Sequence, residues 1–316
     1  MNFSSWKTDN YKFVGKAFDF AYANRLNKLS PVVGEVNANS IDYELTGSGG
    51  YGELARYEGN LNEGSLHRGF KTIVRPEEFS LSIPVGYKEA KIDKMGETRK
   101  VGTKLGDSAA LTVYLHVLRM FANAWNADGF HNGGDGVPWA SASHPVASKG
   151  SSGRSFVADP DAGTYSNIST DAFSVSAITA AQARANRFLT PDGMPFLCDF
   201  DTVLISPELE EKAKKMFGEN ARLMPDKDPF TSDNGANPVY GMQYIVMGGG
   251  DDGFSAKQWA VCDRRLMKEL VNIVYNTRPK VMQSQLDNPL KDMYTAYVDF
   301  GTGWGDARQI IFGDPG

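Results

Sequence analysis

Hydrophobic positions recur at helical spacing most clearly between Asp107 and Ala127. Leu111, Leu115, Leu118, Phe121, Ala122 and Trp125 form one row, and Val113, Val117, Met120 and Ala124 lie beside it. Thr112, His116, Arg119, Asn123 and Asn126 leave only a narrow polar stripe. The pattern predicts one long helix over 107–127, capped by Asp107 or Ser108 and roughly 30 Å long at 1.5 Å per residue. Such a helix needs apolar cover on most of its circumference.

The clearest strand pattern precedes it. Phe79, Leu81, Ile83, Val85 and Tyr87 alternate with Ser80, Ser82, Pro84 and Gly86. Pro84 cannot donate to a ladder, which predicts an edge strand or a two-stranded ribbon. Residues 45–95 read as a long hairpin-like excursion, and a lone ribbon is marginal in water. Upstream, Tyr11–Leu29 predicts a short amphipathic helix through Phe13, Ala17, Phe20 and Ala21, ended by Pro31, in a leading arm that docks on another surface.

Residues 128–170 are rich in Gly, Ser, Asp and Pro and read as loop. Ala177–Phe188 predicts a helix with Ser176 as N-cap, and Val203–Ile205 a buried strand. Ser206-Pro207 opens a further helix supported by Glu210–Lys214 and Glu211–Lys215 pairs and stopped at Gly218. Strands are expected at Gln243–Met247, Gln258–Cys262, Met293–Phe300 and Gln309–Phe312, with a short apolar stretch at Leu266–Tyr275. The fold class is α+β, without regular βαβ alternation.

Composition narrows the function. A net charge of −5 argues against a phosphate-backbone binder. Two distant cysteines, Cys198 and Cys262, are expected as packed free thiols rather than a disulfide framework. The start lacks an apolar signal region and no run is long enough to span a membrane, so the chain is expected to be soluble and intracellular at synthesis.

Several motifs invite an enzyme reading. Gly47-x-Gly49-x-x-Gly52 matches a phosphate-binding glycine loop, but no βα unit follows it. Asp299-Phe300-Gly301 spells a kinase signature without the accompanying catalytic loop. His131, Asp135 and His144 could hold a metal, which would make the chain a metal-dependent hydrolase, or bond to local backbone. His116 suggests a surface or interface position, and His67 lies in the extended excursion. No catalytic residue, cofactor or metal site is expected.

The order of arm, ribbon, long helix, glycine- and serine-rich loop and compact α+β region resembles the major capsid protein of tailed bacteriophages, the Hong Kong 97-type shell fold. Asp135–Pro145, Ala177–Phe196 and Val203–Phe217 are similar to the Mu-like head-subunit group. The resemblance implies an N-terminal arm at 1–44 and an extended loop at 45–95. It implies a peripheral domain at 96–149 with a spine helix, an axial domain at 150–277, and C-terminal strands at 278–316 returning to the peripheral domain. It implies a non-enzymatic subunit assembling as pentamers and hexamers into an icosahedral virion shell in the host cytoplasm. That shell would enclose double-stranded DNA without sequence-specific binding and without membrane contact, and would meet scaffolding, portal and decoration proteins. An encapsulin-like compartment is the alternative on the same fold. Phe79, Leu81, Ile83, Val85, Tyr57, Arg75, Leu111, Leu115, Leu118 and Trp125 are the residues expected at assembly contacts. Some relatives cross-link the extended loop through a Lys–Asn bond; Lys71, Lys88, Asn60 and Asn62 lie nearby, and no pair is marked.

Overall fold

The computed structural model describes residues 3–25, 29–38, 40–47, 57, 70–86, 96–127, 133–146, 163–190, 195–218, 237–248, 250–285 and 291–316. Five α-helices lie among them: α1 (Phe3–Arg25), α2 (Gly96–Ala122), α3 (Val175–Ala185), α4 (Glu210–Phe217) and α5 (Arg264–Leu270). A four-stranded sheet runs in the order β1 (Gly34–Asn37), β11 (Val271–Gln285), β12 (Lys291–Trp304), β4 (Glu77–Gly86). A five-stranded sheet runs β7 (Ile168–Ser169), β13 (Ile310–Gly313), β10 (Trp259–Cys262), β8 (Thr202–Ile205), β9 (Gln243–Val246). Two small pairs complete the layout: β2 (Tyr43–Thr46) with β3 (Lys71–Val74), and β5 (His144–Pro145) with β6 (Thr164–Tyr165).

The five-stranded sheet is covered on both faces, and side-chain alternation shows it. Leu204, Ala260, Cys262, Ile310 and Phe312 point into the central core with Val113, Val117 and Phe121 of α2. Val203, Ile205, Trp259, Val261 and Ile311 point the other way, into a layer built by α3, α4 and α5. A strand buried on both faces carries an unbroken apolar run, which is why Val203-Leu204-Ile205 reads as it does.

Helix α2 starts eleven residues earlier than its strongest periodicity predicts, so Asp107 and Ser108 lie inside it rather than capping it. The apolar row continues upstream through Val101, Leu105 and Ala109 onto a smaller core with Val14, Phe18, Val85, Val281 and Tyr294. Helix α1 lies against this half. A Cβ on Gly102 would stand 2.6 Å from the Val14 carbonyl oxygen, and one on Gly106 would stand 2.5 Å from that of Phe18. The glycines at i and i+4 therefore let the two helices approach at backbone distance. The leading segment, expected to dock on another surface, is docked on its own chain.

Other expectations shift by a residue or a partner. Ser174, not Ser176, caps α3, accepting from the Ala177 amide at 3.1 Å. Pro207–Leu209 forms a 3-10 turn ahead of α4, and Glu210–Lys214 and Glu211–Lys215 pair at 2.7 and 2.6 Å. The stretch Leu266–Tyr275 divides into α5, capped by Asp263, and the start of β11. Strand β4 is an edge strand, as Pro84 requires, but it pairs with β12 of its own chain. Residues 278–316 do not return as one unit: β12 lies in the four-stranded sheet, while β13 joins β7 and β10 in the other.

The helix crossing yields a test with an unusual sign. Alanine is normally favoured over glycine within a helix by about 1 kcal/mol. Gly106→Ala should instead destabilise the protein by about 1–3 kcal/mol, because the methyl group meets backbone that cannot yield. Denaturant unfolding decides it; a stabilised variant would show that α1 does not sit where described.

Candidate functional site

The expected assembly residues fall into two groups. Leu118 is buried, and Leu115 and Trp125 pack against the central core, Trp125 edge-on to Phe254 and Phe312. Phe79 rests on Phe300 and His116; Ile83 and Val85 belong to the small core beneath α1. These six stabilise the subunit itself. Leu81, Leu111 and Tyr57 are exposed, at 46%, 48% and 69%, and Arg75 forms an exposed ion pair with Asp42. The apolar face expected of the leading helix, Phe13, Ala17, Phe20 and Ala21, is turned: Ala21 is buried with Val14 and Phe18, while Phe13 and Phe20 are 47% and 73% exposed.

The motifs that invite an enzyme reading have structural roles where they fall within the described residues. Asp299, Phe300 and Gly301 lie within β12, where Asp299 accepts from the Asn276 amide at 2.6 Å and Phe300 is core. Gly49 and Gly52 lie outside the described residues, as do His67, His131, Lys88, Asn60 and Asn62. Lys71 forms an ion pair with Glu44 at 2.7 Å. His144 is fully buried, with Nδ1 2.7 Å from Asp135 Oδ2 and Nε2 3.1 Å from the Trp139 carbonyl. Two acceptors occupy both ring nitrogens, so neither is turned toward a metal. Among the described residues no cluster of three potential ligands occurs. Burial, then the charge of Arg119, holds the His116 imidazole below its ordinary range, and it sits edge-on to Phe79 and Phe300.

Asp135 and His144 instead belong to a buried polar junction between the two sheets. The His144 ring stacks on Tyr165. Burial, then the Asp306 carboxylate, pushes the Tyr165 phenol well above its usual range. Asp306 accepts from Arg308 through both carboxylate oxygens, and Arg308 also donates to the Leu189 carbonyl at 2.9 Å. Its guanidinium lies 4.9 Å over the Phe196 ring. Asn167 ties the loop carrying Trp139 to the Ala307 carbonyl. The junction thus clamps the β12–β13 link to the loop after α3 and to the glycine loop at 133–136. A Cβ on Gly133 would lie 2.1 Å from the Trp304 ring, so that loop is a fitted part. The two thiols are equally structural. Burial, then Asp263 and Asp199, pushes Cys198 up to about 11, and Cys262 is fully buried.

No protein-family model matches the sequence, and no curated protein matches it. Solved structures do. The fold is similar to a virus-like particle from Pyrococcus furiosus, with a TM-score of 0.54 at 8% identity over 96% of this chain and 99% of that one. The head structure of Helicobacter pylori bacteriophage KHP40 gives 0.54 at 8% identity, over 92% and 90%. The capsid of an empty GTA particle, computed with C5 symmetry, gives 0.51 at 11% identity, over 90% and 88%. The chain has the Hong Kong 97-type fold of phage and phage-like capsids.

Two outcomes follow from the site. Asp306→Ala leaves the Arg308 charge buried without its partner and should cost about 3–5 kcal/mol in unfolding experiments. A loss below 1 kcal/mol would contradict the clamp. Alkylation of Cys198 at pH 8 should run about a hundredfold slower in the native protein than in denaturant, rising only as pH approaches 11. Equal rates would contradict its burial.

Proposed function

We propose that the chain is the major capsid subunit of a tailed phage, of the Mu-like group, and that copies of it assemble into an icosahedral shell around double-stranded DNA. The observation that carries this reading is the span of the fold likeness, nearly the whole of this chain and of the particle and head proteins. A likeness confined to one sheet would fit many folds; one that includes arm, long hairpin, long helix and both sheets fits a shell subunit. The stretches similar to Mu-like head subunits are the 135–145 loop, α3 with its following turn, and β8 through α4.

In this reading α2 is the spine helix, and α1, α2 and the β1-β11-β12-β4 sheet form the peripheral domain. The five-stranded sheet with α3, α4 and α5 forms the axial domain, gathered into pentamers and hexamers. The 45–95 segment, apart from its strands β3 and β4 that pair within the subunit, reaches a neighbouring subunit, with Leu81, Leu111, Tyr57 and Arg75 at contacts. Scaffolding, portal and decoration proteins are the expected partners, and assembly takes place in the host cytoplasm. The subunit carries no catalytic role. Likeness to a virus-like particle as well as to phage heads supports a second reading, an encapsulin-like compartment holding protein cargo.

The contents of purified particles separate the two. Particles banded on a gradient and treated with nuclease should retain double-stranded DNA when formed in the native host. Particles filled with a second protein and free of DNA would move the assignment to the compartment.

A further inference from the structure

The outer face of α1 has a composition that matches its own reverse. Phe13 and Phe20 stand two turns apart and about 20° from one another around the helix axis. Phe20 is the most exposed phenylalanine among the described residues, at 73%. One flank of this stripe carries Lys12, Lys16 and Asp19, all exposed, while Val14, Phe18 and Ala21 on the opposite side are buried against α2 and its surroundings. Two large aromatic rings in water on a helix otherwise fixed at backbone distance are a preorganised, unpartnered contact.

Placing a second α1 antiparallel to the first satisfies two requirements with a single register. When Phe13 of one copy faces Phe20 of the other, the two-fold axis passes between residues 16 and 17. The same register sets Asp19 of each copy between Lys12 and Lys16 of the other. In an antiparallel pair, like flanks face each other, so the charged side of one helix meets the charged side of its mate. A two-fold parallel pairing instead turns the charged flank of each helix toward the opposite flank of its mate, so Asp19 meets neither Lys12 nor Lys16. Apolar match and charge complementarity therefore agree on one arrangement.

We propose that α1 is a two-fold contact between subunits, made by antiparallel pairing of α1 with α1 of a second copy through Phe13, Phe20, Lys12, Lys16 and Asp19. The inference rests on the shell reading for its need of self-contact. One helix pair buries less than the roughly 1,000 Å² of a stable interface, so the contact is weak between free subunits. It gains strength through the number of copies in a shell.

Disulfide trapping tests the register. The two positions lie about 10.5 Å apart along one helix, beyond the reach of a disulfide, so bonds between them can form only across copies. Under an added oxidant, the double variant Phe13→Cys/Phe20→Cys should give a covalent dimer on a non-reducing gel. Each single variant, carrying the same native thiols, should stay monomeric. Circular dichroism matching wild type establishes that the variants fold. A monomeric double variant, or single variants that cross-link equally well, overturns the proposal. Charge reversal supplies the second measurement: Lys12→Glu should raise the protein concentration needed for assembly several-fold, and adding Asp19→Lys should restore it. If Lys12→Glu alone has no effect, or the double reversal gives no rescue, the contact is wrong. Cross-linking in concentrated free protein decides the helix pairing even if wild-type protein forms no shell, whereas that failure of assembly counts against the shell reading itself.

Discussion

A single helix of 27 residues has to be covered along its whole length, and most of the subunit is arranged to cover it. Its C-terminal half is buried by both sheets at once, through Val113, Val117, Leu118 and Phe121 against Phe300, Trp304 and Phe312. Its N-terminal half is buried by α1 and the far end of the long β11–β12 hairpin, through Leu105 and Ala109 against Phe18, Val281 and Tyr294. Removing either cover would expose several large side chains, each worth about 1.5–3 kcal/mol of burial. The two covers differ in kind. One is a deep core fed by every major element, and the other is a thin layer that depends on two glycines.

The polar junction adds a fixed placement to the apolar core that the two sheets share. The five-stranded and four-stranded sheets are joined by the β12–β13 link and, through α5, by the connection from β10 to β11. The β12–β13 link carries Asp306, Arg308 and Gln309, all buried. Buried charge is costly unless its bonding capacity is met. Here the carboxylate, the Leu189 carbonyl and the Phe196 ring meet it together. The pair fixes one relative placement of three segments, a geometric role that an apolar filler of equal volume would not reproduce.

Much of this was legible from residues alone. The alternation Phe79 to Val85 and the position of Pro84 specify an edge strand, and Val203–Ile205 specifies a doubly buried one. Local signals were misleading where tertiary contact decides. Asp107 and Ser108 look like a helix start, yet α2 runs through them because Val101 and Leu105 have a core to enter. Asp135 and His144 look like ligands because sequence cannot show the Trp139 carbonyl that occupies the second ring nitrogen. The glycines at 102 and 106 read as helix-weakening residues until α1 is laid across them. The residues proposed for assembly are the hardest to read. Apolar periodicity marks cores and contacts between copies alike, and only exposure separates Leu118 from Leu111.

The central claim is that this chain is built to meet copies of itself in a closed shell. Electron cryomicroscopy of the purified protein under assembly conditions tests it most directly. The account predicts closed icosahedral particles into whose density the subunit fits with α2 unbroken and both sheets intact. Protein that remains a dispersed monomer at every concentration and under every assembly condition would contradict it.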